Sequence, residues 1–285
     1  MDSRILRLCG SFLPLGLPTR IMGILNVTPD SFYSGSAFPA EEPAVEHALK
    51  LVREGADLID IGGESTRPGS RPVPEAEEVS RVLPVIRSLK RSTEVPLSID
   101  TTKSGVARLA VEAGASVLND ISGLGMDPGL AAVAAESGAA LILGHTREVP
   151  ERMHLVAPSE DILREVREGL QGSIDRALRS GVKSDQIVLD PGIGFGKGME
   201  ENLLLLSRLE EIANLGFPVM VGVSRKRFIG QVLGLDSPED RLAGSLAAAL
   251  VAVFHGALLL RVHDVGATRQ ATRMADAIRQ AGCPA

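Results

Sequence analysis

Short apolar runs recur along the chain at 21–25, 58–61, 97–99, 117–118, 140–143, 187–189, 219–221 and 258–260, and each stops in a knot of polar residues or glycine. Runs this short, with no polar alternation, suit parallel strands covered on both faces. Between them, apolar residues fall at three- and four-residue spacing over 41–54, 75–90, 103–113, 159–180, 200–215 and 241–255, which predicts helices. Gly55, Gly114, Gly181, Gly216 and Gly256 follow five of these stretches directly, where a left-handed cap favours glycine. A strand and then a helix, repeated over about 250 residues, predicts an α/β fold: a single-domain (β/α)8 TIM barrel with a short N-terminal extension over 1–18. In that fold all strand ends meet at one face. The polar knots, scattered in sequence, therefore converge on one site.

Composition changes this picture mainly by exclusion. The chain has 285 residues, within the range of an undivided barrel, and no Pro/Ser-rich or charged linker divides it. A formal net charge of −6 argues against nucleic acid or a membrane surface as the main partner. The two cysteines, Cys9 and Cys283, give neither metal-ligand spacing nor a disulfide framework. Arg4, Arg7 and Pro14 interrupt the N-terminal apolar residues, and the apolar stretch 246–260 is broken by His255 and Gly256. No signal peptide or membrane span is expected, and a cytoplasmic location is.

The knots carry the candidate chemistry. Asp100, Asn119 and Asp190 end three different strands, and two carboxylates with an amide suit a ligand with a donor-rich edge, such as an amino-substituted heterocycle. Each acid alone could equally cap the helix that follows. The glycine-rich segment 190–197 has neither the dinucleotide-turn nor the P-loop spacing, and its leading carboxylate would repel a phosphate. Arg261 and His263 alternate with Val262 at the end of the last strand, so they share one orientation toward the mouth, where barrels commonly hold a phosphate. Arg225 and Arg227 read better as solvated charges, or as partners of Asp236 and Asp240. Asn26 offers a neutral oxygen that could help hold Mg2+ together with ligand phosphate oxygens and water. Long polar loops follow the first two strands, at 28–33 and 64–72, with the composition of substrate-covering segments.

The segments MGILNVTPDSF, DIGGESTRPG, SIDTTK, LNDISG, LDPGIGFGK, GVSRKRFIG and RVHDV, in this order, resemble the dihydropteroate synthases of the folate pathway. The resemblance runs from about Ile21 to the last helix. It implies a (β/α)8 barrel, a homodimer, and a Mg2+-assisted reaction joining 4-aminobenzoate to (7,8-dihydropterin-6-yl)methyl diphosphate with loss of diphosphate. Carried over residue by residue, it implies a pterin site of Asp100, Asn119, Asp190 and Lys226, with Ile121, Phe195 and Gly222 lining the ring. Asn26, Arg261 and His263 would take the diphosphate, Asn26 also the metal. Thr28 to Phe32 and Thr66, Arg67 and Pro68, with Lys226, would enclose 4-aminobenzoate. Asp100, Lys226, Arg261 and His263 are the residues expected to drive catalysis.

One segment departs from the family. After the fifth strand the family continues from His into a Met that packs in the pterin pocket, whereas this chain reads His145-Thr146-Arg147. The change predicts a looser or more polar wall, with Met153 as the neighbour able to refill it. Two other readings differ in what they require. A corrinoid-dependent methyltransferase would use a related barrel without the anion site or closing loops, and a non-catalytic pterin-binding paralogue would bind without releasing diphosphate.

Overall fold

A computed structural model describes residues 4–27, 41–66 and 69–282. It opens with an antiparallel hairpin, β1 (Arg4–Leu8) and β2 (Ser11–Leu15). Eight parallel strands then close a barrel: β3 (Arg20–Asn26), β4 (Leu58–Gly62), β5 (Leu97–Asp100), β6 (Val117–Asp120), β7 (Ala140–Gly144), β8 (Ile187–Asp190), β9 (Val219–Val221) and β10 (Ala257–Val262). β10 pairs with β3 to complete the ring, Leu260 opposite Ile21.

Among the described residues, the helices outside the barrel are α1 (Glu41–Arg53), α2 (Glu75–Ser92), α3 (Ser104–Ala113), α4 (Gly129–Ser137), α5 (Ile162–Arg179), α6 (Met199–Ser207), α7 (Glu210–Ala213), α8 (Arg227–Leu233), α9 (Leu242–Phe254) and α10 (Val265–Ala281). Their starts follow local chemistry. Asp161 accepts a hydrogen bond from Arg164 N at 3.0 Å, so α5 begins at Ile162 rather than at 159. The stretch 200–215 is two helices rather than one, and the turn between them lets Leu209 and Ile212 bury fully. All five predicted cap glycines have positive φ, as Gly114 does at 119°.

Two packed layers result. Ile59, Ile61, Leu141 and Leu189 face outward onto the helices, where they meet Val82, Ile86 and Leu170. Met22, Leu58, Val117, Ala140, Ile142, Val188, Met220 and Leu259 point inward and meet Leu6, Leu8, Leu13 and Leu15 of the hairpin. The hairpin alternates, Ile5 and Phe12 exposed against Leu6 and Leu13 buried, so one face covers the N-terminal end of the barrel. Arg7 fastens it with a 2.7 Å ion pair to Asp185. The segment read as an extension is thus a plug, and the open end of the barrel is the C-terminal one.

Candidate active site

The inward phase of the strands decides which polar residues meet. Side chains two or four positions beyond an inward apolar residue also point inward. Counting from Met22, Leu58, Val117, Val188, Met220 and Leu259 gives Asn26, Asp60, Asn119, Asp190, Gly222 and Arg261. The hydrogen bonds agree. Arg261 Nε donates to Asp60 Oδ2 at 2.6 Å and its Nη2 to Asp100 Oδ2 at 2.6 Å, while Asn119 Nδ2 donates to the same Asp60 oxygen at 2.9 Å. Four strands, β4, β5, β6 and β10, are tied in this one network beneath the mouth.

Asp60 is absent from the residues singled out in the sequence. It was detectable as the lone acid within the run Leu58-Ile59-Asp60-Ile61, in phase with Leu58. Wholly buried, it would be costly without the Arg261 guanidinium. Burial works against the charge on Arg261, but Asp60 and Asp100 outweigh it and hold the group above its ordinary range. Burial pushes Asp100 up to about 7 despite Arg261, and the charges of Asp60 and Glu78 add to that shift. Neither Asp100 nor Asp190 caps a helix: α3 begins after Lys103 without a side-chain cap, and Asp190 Oδ1 accepts Gly192 N at 2.8 Å within its own loop.

That loop is shaped by a half-buried lysine. Lys197 Nζ donates to His145 O and Gly192 O at 2.9 Å and to Phe195 O at 3.2 Å. Burial lowers its pKa to about 7, with Asp190 opposing. Gly192 has φ 66°, and a Cβ there would stand 1.9 Å from His145 O, so no side chain fits. The result presents the Phe195 ring to Lys226, whose Nζ lies 3.9 Å from the ring centroid. Burial lowers Lys226 to about 8, while Asp190 works to keep it charged. Gly222 lies beside Arg261: a Cβ at 222 would stand 3.8 Å from Arg261 Cβ.

His263 Nδ1 sits 3.0 Å from Ser224 Oγ, and burial, reinforced by Arg261 and Arg225, lowers its pKa to about 4. The ring is therefore neutral at neutral pH. Arg225 pairs with Asp264 at 2.7 and 3.0 Å, not with Asp236 or Asp240. This arginine has φ 58°, a strained value for a side chain of its size. Arg225 N donating to Ser245 Oγ and Arg241 Nη1 donating to Arg225 O hold it there. Two ties, Ser224 to His263 and Arg225 to Asp264, thus lock the loops after β9 and β10 together. Arg227, the first residue of α8, is exposed.

Asn26 ends β3 opposite Gly62. From a Cβ built at Gly62, Asn26 Oδ1 is 3.8 Å away and Asp100 Oδ2 3.7 Å, so both oxygens border the space that the glycine leaves open. Among the described residues, no three His, Cys, Asp or Glu gather as a metal site. Thr66 lies in the loop after β4, beside a small cleft that Asp100 and Ile121 also line. Thr28, Phe32, Arg67 and Pro68 lie outside the described residues.

The Thr146 departure has a local explanation. Thr146 Oγ1 donates to Glu148 O at 2.7 Å, which turns the hydroxyl into the loop. Met153, on a short turn of helix at Met153–Leu155, is buried against Ile121 and Phe195 in a separate apolar cluster. Arg147 pins the start of this excursion, donating to Glu165 at 2.8 Å and to Ala157 O at 2.7 Å. A methionine is thus supplied to Ile121 and Phe195 from another position.

The sequence model of the family described as pterin binding enzyme matches residues 22–263. The chain belongs to this family. It is 45% identical over 263 residues to the dihydropteroate synthase of Synechocystis sp., covering 92% of this chain and 91% of that protein. Its fold superposes on Xanthomonas albilineans dihydropteroate synthase with 4-aminobenzoic acid at a TM-score of 0.92 and 44% identity, covering 99% and 100% of the two chains. The same organism's enzyme in complex with 7,8-dihydropteroate matches at 0.86 and 42%, covering 98% and 100%. The barrel expected from the strand pattern and the family expected from the seven motifs both hold.

Proposed function

We propose that this chain is a dihydropteroate synthase, joining 4-aminobenzoate to (7,8-dihydropterin-6-yl)methyl diphosphate with release of diphosphate. The observation that carries the reading is Arg261: one guanidinium holds the pterin-side acid Asp100 at 2.6 Å and stands two residues from His263. Acceptors for a donor-rich ring and donors for an anion thus border one space. The relatives whose names state this activity extend over nearly the whole chain.

In this reading Asp100, Asn119 and Asp190 accept hydrogen bonds from the pterin ring, and Lys226 joins them beside Phe195, with Ile121 and Gly222 lining the ring. As the C–O bond to diphosphate breaks, positive charge spreads over the ring from its methylene carbon, and Asp100 and Asp190 oppose it. Arg261 takes up charge on the departing diphosphate. His263 is neutral beforehand, so it contributes a hydrogen bond from the ring nitrogen not engaged by Ser224. The aromatic amine is nucleophilic at neutral pH, and the protein's task is positioning and electrostatics. Thr66, with Arg67, Pro68, Thr28 and Phe32, encloses that second substrate.

Mg2+ fits as a partner of the diphosphate. Among the described residues Asn26 Oδ1 is a neutral oxygen placed for it, with Asp100 close by, which suits an ion that retains water and phosphate oxygens. Bound there, it would neutralise leaving-group charge. The assembly fits a homodimer, because α9 and α10 leave Val251, Phe254, Met274 and Ile278 exposed while their other sides pack on the barrel. A cytoplasmic location accompanies the reading; among the described residues no helix is long and apolar enough to cross a membrane.

The test is complementation. The gene should restore growth without added folate-pathway products to a bacterium lacking its own synthase, and the Arg261→Ala variant should not. Absence of growth with abundant folded wild-type protein would count against the reading.

A further inference from the structure

The loop that carries Thr66 is fastened at its base by a half-buried cation. Lys103, three residues beyond Asp100, places Nζ 2.5 Å from Glu64 Oε2 and 2.6 Å from Glu78 Oε2. Glu78 lies on α2 with no exposed surface, and its Oε1 has no hydrogen-bond partner among the described residues. The same oxygen of Glu64 accepts Val73 N at 3.0 Å, so one carboxylate joins the outgoing and returning ends of the loop. Ser70 Oγ closes the base from within by donating to Ser65 O at 2.5 Å, and Gly69 N donates to Pro150 O at 2.8 Å. A cleft lined by Glu64, Thr66, Asp100, Lys103, Ile121 and Pro150 separates this loop from the pterin-side acid.

We propose that Lys103 is a positioning residue for the second substrate, setting the separation of Thr66 from Asp100 by drawing Glu64 onto Glu78. The inference rests on the synthase reading and adds a residue to it. Its physics is charge balance. Two carboxylates share one ammonium, and without that ammonium they repel. Glu78 is wholly enclosed, while the Glu64 side chain keeps 17% exposure, so Glu64 is the one that moves outward. The loop base follows it, and Thr66 leaves the cleft. The pterin-side network of Asp60, Asn119, Asp100 and Arg261 shares no hydrogen bond with Lys103 and keeps its geometry.

The test is steady-state kinetics with each substrate varied, on wild type, Lys103→Met, Lys103→Arg and Glu64→Gln. Lys103→Met should raise the KM for 4-aminobenzoate by about tenfold or more and leave that for the pterin diphosphate within about twofold. Lys103→Arg should recover most of the loss, because a cation again bridges the two acids. Glu64→Gln keeps the Lys103 to Glu78 pair, and so decides the matter if Lys103→Met does not fold. It should raise the 4-aminobenzoate KM by about threefold or more. Equal rises in both KM values, or an unchanged 4-aminobenzoate KM in folded variants, would overturn the proposal. Failure of wild type to form dihydropteroate would instead strike the synthase reading itself.

Discussion

Arg261 Nε lies 2.6 Å from the Asp60 carboxylate oxygen that also accepts Asn119 Nδ2 at 2.9 Å. A residue from the middle of β4 therefore orients both an expected anion binder and an expected pterin acceptor. Asp60→Asn keeps the shape but removes the charge that holds the guanidinium. Losing one charge-assisted hydrogen bond of about 1.5–3 kcal/mol should lower kcat by about ten- to a hundredfold. Diphosphate release under saturating substrates measures this, and a near-normal kcat would show that Arg261 holds its place without Asp60.

Met153 is buried against Ile121 and Phe195, the residues expected to line the pterin ring, while the Thr146 hydroxyl turns into its own loop. Met153→Ala should raise the Kd of a pterin analogue by about tenfold, the equivalent of about 1.4 kcal/mol of lost contact. Isothermal titration reads it directly. Unchanged affinity would place the ring elsewhere.

Burial pushes the Asp100 carboxyl up to about 7 against the pull of Arg261. Below that pH it is neutral and a poorer acceptor; above it the carboxylate accepts N–H donors and pairs fully with Arg261. Affinity for a pterin analogue should therefore rise as pH increases from 6 through 8, and Asp100→Asn should flatten the profile. Titrations at fixed ionic strength would show the opposite slope if another group governed binding.

The plug under the barrel should matter for stability and not for chemistry. Leu8 is 2% exposed within the cluster that fills the barrel's closed end. Leu8→Ala should cost about 2–5 kcal/mol in denaturant unfolding with kcat unchanged. A loss of kcat without loss of stability would mean that the hairpin communicates with the mouth.

The barrel was legible because its strands are buried on both faces and its helices end at glycines, signals that need no tertiary knowledge. Period-two phase was the harder signal, and it separates two kinds of miss. Asp60 was in the sequence, flanked by apolar residues in register with Leu58, but continuous apolar runs hide which face is inward. The hairpin is hidden in the sequence because Ile5, Leu6, Leu8 and Leu13 form strands only when the barrel's end offers them a surface. In the sequence Arg225 reads as a solvated charge or as a partner of Asp236 or Asp240, because its actual partner Asp264 stands 39 positions away and only the adjacency of β9 and β10 brings them together. The knots at Asp100, Asn119 and Arg261 were readable one by one. Their hydrogen bonds to one another were not, because those follow from barrel closure.

The most direct test mixes (7,8-dihydropterin-6-yl)methyl diphosphate, 4-aminobenzoate and Mg2+ with the purified protein and follows diphosphate and dihydropteroate together. Both should form in equimolar amounts, with Arg261→Ala slower by about tenfold or more. Tight pterin binding with neither product formed would contradict the synthase reading.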